Sequence, residues 1–246
     1  MLFSIYPFHT LTLLFLYIFF FSNTNEWSKQ TLKSAVGDKL QVGEADGQIG
    51  IGEVETLTPG SKEVEPLVRL VLVLDTAPPP PSPVTVAVAL TRSKTFPKVL
   101  ETLVVLGVKK IFIINTERVE PGYWHTHTLQ PEAIRDRLTL GLEQTVDTAY
   151  PEVVLCKNFE RFIAKQTPSM LVEGATNLIA HPDPDGVPCP HDVTSPCNLL
   201  IGPEGGFIGP EVERFKELGF TCVSLGTRIL PVQTAVHVLL GKLGYG

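Results

Sequence analysis

The chain of 246 residues lacks a surplus of positive charge. Its formal net charge is −6 and its pI is about 5.5, which excludes a protein that grips nucleic acid across its whole surface. An RNA partner would have to be held by a local basic patch. Hydrophobic residues make up 43% of the chain, which is ample for one large domain or a main domain with a smaller one.

Cysteine is scarce, and its spacing argues against a zinc site. No two cysteines are separated by two residues, and the four lie at Cys156, Cys189, Cys197 and Cys222. The pair His125 and His127 has no cysteine or carboxylate at ligand spacing. We therefore expect no metal, and we expect free thiols in a reducing compartment.

A clear targeting segment is also missing. The apolar run at residues 11–21 is eleven residues long, whereas a membrane-spanning helix needs about 20. No Lys or Arg precedes this run, no small-x-small cleavage site follows it, and it has no Arg-rich transit character. Two interpretations of residues 1–26 stay open: a membrane or targeting segment, and a mis-assigned start.

The C-terminal third is rich in glycine directly after short apolar runs. Residues 198–201 predict a buried strand, and glycines follow at positions 202, 205 and 206. A helix then begins near Pro210 and ends at Gly219. The pattern recurs at residues 221–225, which Gly226 follows. Two such loops at the carboxyl ends of strands favour a shared ligand pocket.

These motifs carry a family resemblance. Ile-Gly-Pro-Glu-Gly-Gly-Phe at residues 201–207, a Glu-rich helix, Leu-Gly-Thr-Arg-Ile-Leu at 225–230 and a helix with Thr234-Ala235 follow in order. This order and spacing resemble the C-terminal signature of the ribosomal RNA small subunit methyltransferase E family, in the SPOUT class. The resemblance implies S-adenosylmethionine as cofactor and methylation of uridine N3 in small-subunit ribosomal RNA. It also implies an α/β fold: a parallel sheet with a C-terminal trefoil knot, preceded by a small PUA-like β-barrel.

Composition and spacing predict the domain boundaries, and the resemblance implies what the domains are. Residues 1–26 form the apolar segment. Residues 27–76 are expected to form a partial PUA-like barrel, with predicted strands at 39–42, 48–54 and 68–74. A proline-rich linker occupies residues 77–83, and 84–246 form the SPOUT methyltransferase domain. In that domain we predict further strands at 84–90, 110–115, 151–155 and 176–182. Predicted helices occupy 96–106, 130–147 and 159–166, and residues 183–196 are expected to form an exposed insertion.

The resemblance also implies roles for particular residues. Arg228 is the candidate for orienting the target base or a phosphate, and Glu204 for orienting its loop or assisting proton transfer. Arg92 and Lys94 follow the strand at 84–90 and are candidate RNA contacts. The candidate cofactor-binding residues flank the two glycine loops: His181, Ile201, Gly202, Pro203, Gly205, Gly206, Leu225, Gly226, Ile229 and Leu230.

Two features leave alternatives open. Pro231 and Gln233 stand where many family members carry Arg and Glu, which motivates a catalytically impaired RNA- or cofactor-binding module. In the polar loop at 117–128, Tyr123 and Trp124 lie beside basic groups and suit either base stacking or a surface lid. A phosphate-binding enzyme needs Lys and a hydroxyl after the glycines, and residues 207–209 supply neither. The resemblance further implies a homodimer that acts on ribosomal RNA or the small ribosomal subunit in the cytoplasm, unless residues 1–21 direct it to a membrane or organelle.

Overall fold

The chain forms two compact units. The computed structural model describes residues 18–20, 35–58, 67–182 and 186–245. The first unit comprises Met1–Pro79 and Leu142–Tyr150, and the second comprises Pro80–Gly141 and Pro151–Gly246. Of the segment 1–26, all but residues 18–20 lie outside the described residues. In the described ranges, no helix has the length and hydrophobicity needed to cross a membrane.

The first unit contains a four-stranded antiparallel sheet in sequential order. Its strands are β1 (Ile18–Phe20), β2 (Lys39–Glu44), β3 (Ile49–Thr58) and β4 (Leu67–Thr76). Buried and exposed residues alternate along β3, as expected when one face of an antiparallel sheet packs on a core. That core includes Val54, Val68 and Leu70. The three strands predicted at 39–42, 48–54 and 68–74 are confirmed, with longer bounds than the sequence indicated.

The hairpin between β2 and β3 turns at Asp46-Gly47, a residue pair typical of β-hairpin turns. Asp46 has a φ of 57°, a left-handed conformation that Asp tolerates better than most residues. The Gly47 N–H donates to the Glu44 carbonyl at 2.9 Å and closes the turn. Residues 142–150 pack on this hairpin, because the Asp46 N–H donates to the Thr148 carbonyl and the Asp46 carboxylate accepts from the Tyr150 N–H.

The second unit is an α/β fold built on a seven-stranded sheet whose neighbouring strands are all parallel. Its strands are β5 (Ser82–Ala89), β6 (Val108–Ile114), β7 (Glu152–Cys156), β8 (Thr176–Ala180), β9 (Val187–Pro188), β10 (Cys197–Ile201) and β11 (Thr221–Ser224). The order across the sheet is β7-β6-β5-β10-β8-β11-β9. Every residue of β10 is buried, which explains its unbroken apolar pattern.

Helices connect these strands. They are α1 (Phe96–Val105), α2 (Pro131–Thr145), α3 (Phe159–Lys165), α4 (Thr167–Met170), α5 (Gly209–Glu217) and α6 (Val232–Lys242). The predicted helices at 96–106, 130–147 and 159–166 are confirmed to within a few residues. Helix α5 ends where glycine predicted it, because Gly219 takes a φ of 86° that other residues rarely adopt.

The segment before β10, predicted to be an exposed insertion from its proline and aspartate content, is largely exposed where the structure describes it. Residues 183–185 lie outside the described residues, but 187–188 pair with β11 as strand β9. Cys189 is buried, and the N–H groups of Asp192 and Val193 donate to carbonyls at the end of α6 and just after it. The Tyr245 hydroxyl also donates to the carbonyls of Val193 and Ser195. The C-terminus therefore packs against this segment, which is exposed as predicted but is held by contacts that the sequence did not indicate.

Candidate functional site

The first glycine-rich loop leaves β10 in a tight turn. The Gly206 N–H donates to the Pro203 carbonyl at 2.8 Å, and Gly206 has a φ of 72°. A Cβ at Gly202 would lie 3.1 Å from the Phe207 backbone nitrogen, so a larger residue would displace the loop. Glycine is thus required at Gly202 for close approach and at Gly206 for conformation. Ile201, Gly202 and Pro203 are buried, which fixes the base of the loop.

The second loop follows β11. Gly226 has a φ of 116°, and its N–H donates to the Ser224 hydroxyl at 3.1 Å. A Cβ at Gly226 would meet nothing within 4 Å, so its backbone borders open space. Leu225 and Leu230 are half-buried, whereas Arg228 is exposed and Ile229 is 90% exposed. Within the described chain Arg228 makes no hydrogen bond or ion pair, so its guanidinium can meet a ligand.

The sheet topology brings these loops to one edge. Strand β8 lies between β10 and β11 and is parallel to both, so all three carboxyl ends point the same way. His181 follows β8 directly, and its N–H donates to the Val223 carbonyl at 3.2 Å. His181 therefore sits between the two glycine loops. The topology thus brings the predicted cofactor residues to one place.

Glu204 connects two loops at this edge. Its Oε1 accepts a hydrogen bond from the Arg92 N–H at 3.2 Å, in the loop that follows β5. The side chains of Arg92 and Lys94 are exposed at the same strand end. Glu204 does not cap α5: the cap is Glu211, whose Oε2 accepts from the Ile208 N–H at 3.0 Å. The geometry gives Glu204 a positioning contact.

Two residues that the sequence did not single out for this site join the loop after β6 to the glycine loop. Arg118 Nη1 donates to the Gly205 carbonyl, and the Arg118 stem lies against Gly205, 3.1 Å from the position of an added Cβ. The buried Glu211 carboxylate also accepts from the Glu117 N–H at 2.7 Å. Arg118 and Glu211 contact residues 87 and 94 positions away, so no local signal could have found these contacts.

Two buried thiols of this unit, Cys156 and Cys197, are not suited to nucleophilic chemistry. Burial raises the pKa of the Cys197 thiol to about 12, and the nearby Cys189 thiol adds to the shift. Burial likewise raises the pKa of Cys156 to about 11, although Arg161 acts in the opposite direction. Because only the thiolate attacks, these groups stay inert at neutral pH. Among the described residues, no group of three His, Cys, Asp or Glu side chains is placed to hold a metal ion.

Known proteins are similar to this chain in sequence and in fold. Residues 78–244 match the family described as the RNA methyltransferase domain. The ribosomal RNA small subunit methyltransferase E of Mesomycoplasma hyopneumoniae (strain 232) is 30% identical over 162 residues, covering 63% of this chain and 66% of that protein. The protein of the same name from Treponema pallidum (strain Nichols) is 26% identical over 145 residues, covering 56% and 53%. The match thus spans less than two thirds of either relative.

A solved structure extends the likeness in fold. The ribosomal RNA small subunit methyltransferase E of Neisseria gonorrhoeae, bound to S-adenosyl methionine, superimposes with a TM-score of 0.65. The alignment covers 98% of this chain and 95% of that one at 18% identity. At this identity the likeness shows a shared α/β fold. The match at residues 78–244 covers well over half of the sequence, and the chain belongs to the RNA methyltransferase domain family.

Proposed function

We propose that this protein transfers the methyl group of S-adenosylmethionine to N3 of a uridine in small-subunit ribosomal RNA. The observation that carries the proposal is the pair of glycine loops at the carboxyl ends of β10 and β11, with His181 between them. The names of the two sequence relatives support the RNA substrate, and the bound ligand of the Neisseria gonorrhoeae structure supports the cofactor.

The residues at this edge fit the cofactor. The backbone at Gly226 borders open space, and the tight turn at 203–206 leaves its backbone exposed to a ligand. The half-buried Leu225 and Leu230 supply apolar surface. Main-chain N–H and C=O groups of residues 201–206 and 225–230 would form hydrogen bonds with the adenine ring. When bound, S-adenosylmethionine supplies an electrophilic methyl group on its sulfonium. The chain therefore needs only to bind, orient and help deprotonate the base.

The RNA would be held at the neighbouring strand end. Arg92 and Lys94 are exposed after β5, and Arg228 is exposed on the second glycine loop. We assign Arg228 to orienting the target base or its phosphate. Because the Glu204 carboxylate already accepts the Arg92 N–H, we assign Glu204 to loop positioning rather than to proton transfer. Arg92, Lys94 and Arg228, all exposed at the same edge of the sheet, would supply the local positive charge that RNA binding by an acidic protein requires.

The finer features of the fold belong to the same proposal. We infer a C-terminal trefoil knot, which the packing of the chain end on residues 189–195 supports. We infer that residues 27–76 form a PUA-like domain, supported by the antiparallel sheet, that 77–83 link it, and that 84–246 form the methyltransferase domain. We also infer a cytoplasmic homodimer, supported by the exposed apolar side chains of Ile229 and Val238.

Calorimetric titration of the full chain with S-adenosylmethionine tests the cofactor. We expect binding that Gly202→Ala weakens, because its Cβ would meet backbone, and that Gly209→Ala leaves unchanged, because its Cβ would meet nothing within 4 Å. No heat of binding from folded protein would overturn the proposal.

The second step tests transfer to RNA. We expect the protein to incorporate tritiated methyl groups into unmodified small ribosomal subunits. Reverse transcription of the product RNA should then stop at one uridine, since N3 methylation blocks base pairing. Arg228→Ala should bind cofactor normally and lose transfer. Cofactor binding without any transfer would instead favour the impaired module that Pro231 and Gln233 motivate.

A further inference from the structure

A second concave site opens beside the glycine loops. The cavity has a volume of about 710 Å³, within the usual range for small-ligand sites. It lies at the carboxyl ends of β6 and β7 and beside the first turn of α5. In the sheet order, β6 is two strand spacings from β10 and four from β11. At about 4.8 Å per spacing, the cavity lies roughly 10 Å from the first glycine loop and roughly 20 Å from the second.

An aromatic side chain held in place forms one wall. Trp124 lines the cavity, and its Nε1–H donates to Asn115 Oδ1 at 2.7 Å. That bond fixes the plane of the indole ring and leaves the Asn115 amide nitrogen without a partner among the described residues. Thr116, a buried neighbour at the same strand end, also lines the cavity. The wall thus offers a flat apolar ring beside hydrogen-bonding groups, which suits a nucleobase.

The charged side chains that line the cavity favour a ligand with a single phosphate group. Lys157 Nζ lies 5.9 Å from the Trp124 ring centroid, and its flexible stem lets the ammonium move aside for a stacked base. The other cation, Arg214, is paired with Glu217 at 2.8 Å. Glu117 and Glu160 are exposed lining residues and would repel a di- or triphosphate. One flexible lysine among three lining carboxylates, Glu117, Glu160 and the buried Glu211, fits the single charge of a nucleotide within a strand.

We propose that this cavity holds one unpaired nucleotide of the RNA, separate from the methylated base, with its base stacked on Trp124 and its phosphate at Lys157. The choice of RNA as the source rests on the proposed function. The cavity would anchor the strand next to the site of transfer, so that binding energy gained here positions the target uridine.

Intrinsic fluorescence gives a direct test that requires no cofactor. The chain has two tryptophans, so a Trp27→Phe variant leaves Trp124 as the only indole. We expect quenching by a short oligouridylate and weaker quenching by uridine monophosphate, with none by ribose 5-phosphate, which lacks a base. Equal affinity for the mononucleotide and the oligonucleotide would assign the cavity to a free nucleotide and overturn the proposal.

Substitutions then separate stacking from charge. Because variants at Trp124 lose the fluorescent indole, their affinity for oligouridylate is measured by calorimetry. Trp124→Ala should weaken this binding about tenfold, and Trp124→Phe should retain most of the affinity. The matched control is Tyr123→Ala, an adjacent aromatic that does not line the cavity and should leave the affinity unchanged. Lys157→Gln, at an exposed position, should lower the slope of log affinity against log salt by about 0.7.

The outcomes distinguish this inference from the proposed function. Unchanged affinity and salt slope in the Trp124 and Lys157 variants would overturn the nucleotide site even if methyl transfer is intact. Calorimetrically measured oligouridylate binding that Trp124→Ala weakens, in a protein that fails to bind S-adenosylmethionine, would support the nucleotide site and refute the methyltransferase proposal. In the variants, an unchanged heat of cofactor binding shows that the fold and the glycine loops are retained.

Discussion

The contact between Arg118 and Gly205 predicts that substitutions at these two positions are not additive. Arg118 Nη1 donates to the Gly205 carbonyl, and its Cδ and Cβ lie 3.1 and 3.3 Å from the position of a Cβ on Gly205. Gly205→Val therefore pushes the arginine away and loses the same hydrogen bond that Arg118→Ala removes. A hydrogen bond from a charged donor contributes about 1.5–3 kcal/mol when buried, and solvent screening at this exposed site lowers it to about 1 kcal/mol.

That free energy corresponds to roughly a fivefold change in an equilibrium constant. If the bond holds the glycine loop in its binding conformation, each single variant should bind S-adenosylmethionine about fivefold more weakly. The double variant should also be about fivefold weaker, because the bond is lost only once and the valine no longer meets the arginine Cδ. Independent effects would instead multiply to about 25-fold, and the difference is a coupling of about 1 kcal/mol.

This coupling is measured by calorimetric titration of four proteins: the parent, Arg118→Ala, Gly205→Val and the double variant. Thermal denaturation shows that each is folded. Gly209→Val is the matched control, since a Cβ there has nothing within 4 Å. It should leave the affinity unchanged. A double variant that is 25-fold weaker, or single variants that bind as tightly as the parent, would refute the idea that Arg118 positions the cofactor loop.

Three other substitutions or conditions probe the same unit. Glu204→Gln retains the hydrogen-bond acceptor, so the pH profile of methyl transfer should keep its shape. A hundredfold loss of kcat would instead show that Glu204 acts in proton transfer. Glu211→Ala should lower the free energy of unfolding in urea by about 2 kcal/mol, because two backbone donors lose their acceptor, whereas the exposed Glu213→Ala should change it by less than about 0.5 kcal/mol. Burial raises the pKa of Cys156 to about 11 and of Cys197 to about 12 from 9.0, so folded protein keeps protons that unfolded chains release. This contribution to stability is complete below pH 9 and lost as the pH rises towards 11 and 12; a free energy of unfolding that is flat from pH 8 to 11 would contradict it.

Local sequence signals were sufficient to predict the strands and the positions where they end. A buried parallel strand needs a continuous apolar run and then a residue that lets the chain turn, and both signals lie within about eight positions. The runs before Gly202 and Gly226 met this condition, and both became strands with glycine loops at the same edge. The order β10-β8-β11, which places His181 between the loops, was not in any local pattern.

Polar composition correctly predicted that most of residues 187–196 are exposed, but it did not indicate the backbone contacts that hold them. Residues 187–196 contain prolines and an aspartate, and such residues usually mark exposed loops. Here the backbone of Asp192 and Val193 found acceptors at the C-terminal end of the chain, and Cys189 became buried. Their partners at Lys242 and Leu243 lie about fifty residues away, so only the path of the C-terminus could have revealed the contact.

The contacts around the first glycine loop also bear on the altered start of α6. That loop is fixed from the side of β5 and β6, by the Glu204 bond to the Arg92 N–H and by the Arg118 bond to the Gly205 carbonyl. Neither bond involves Pro231 or Gln233, which lie beyond the second loop. The replacement of the family's Arg and Glu by Pro231 and Gln233 therefore leaves the first loop in place. Its effect falls on the second loop, residues 225–230. In the proposed function the second loop supplies both Arg228 and part of the cofactor pocket at residues 225–230, so a change at Pro231 or Gln233 should alter both cofactor binding and RNA methylation while the bonds that hold the first loop are kept.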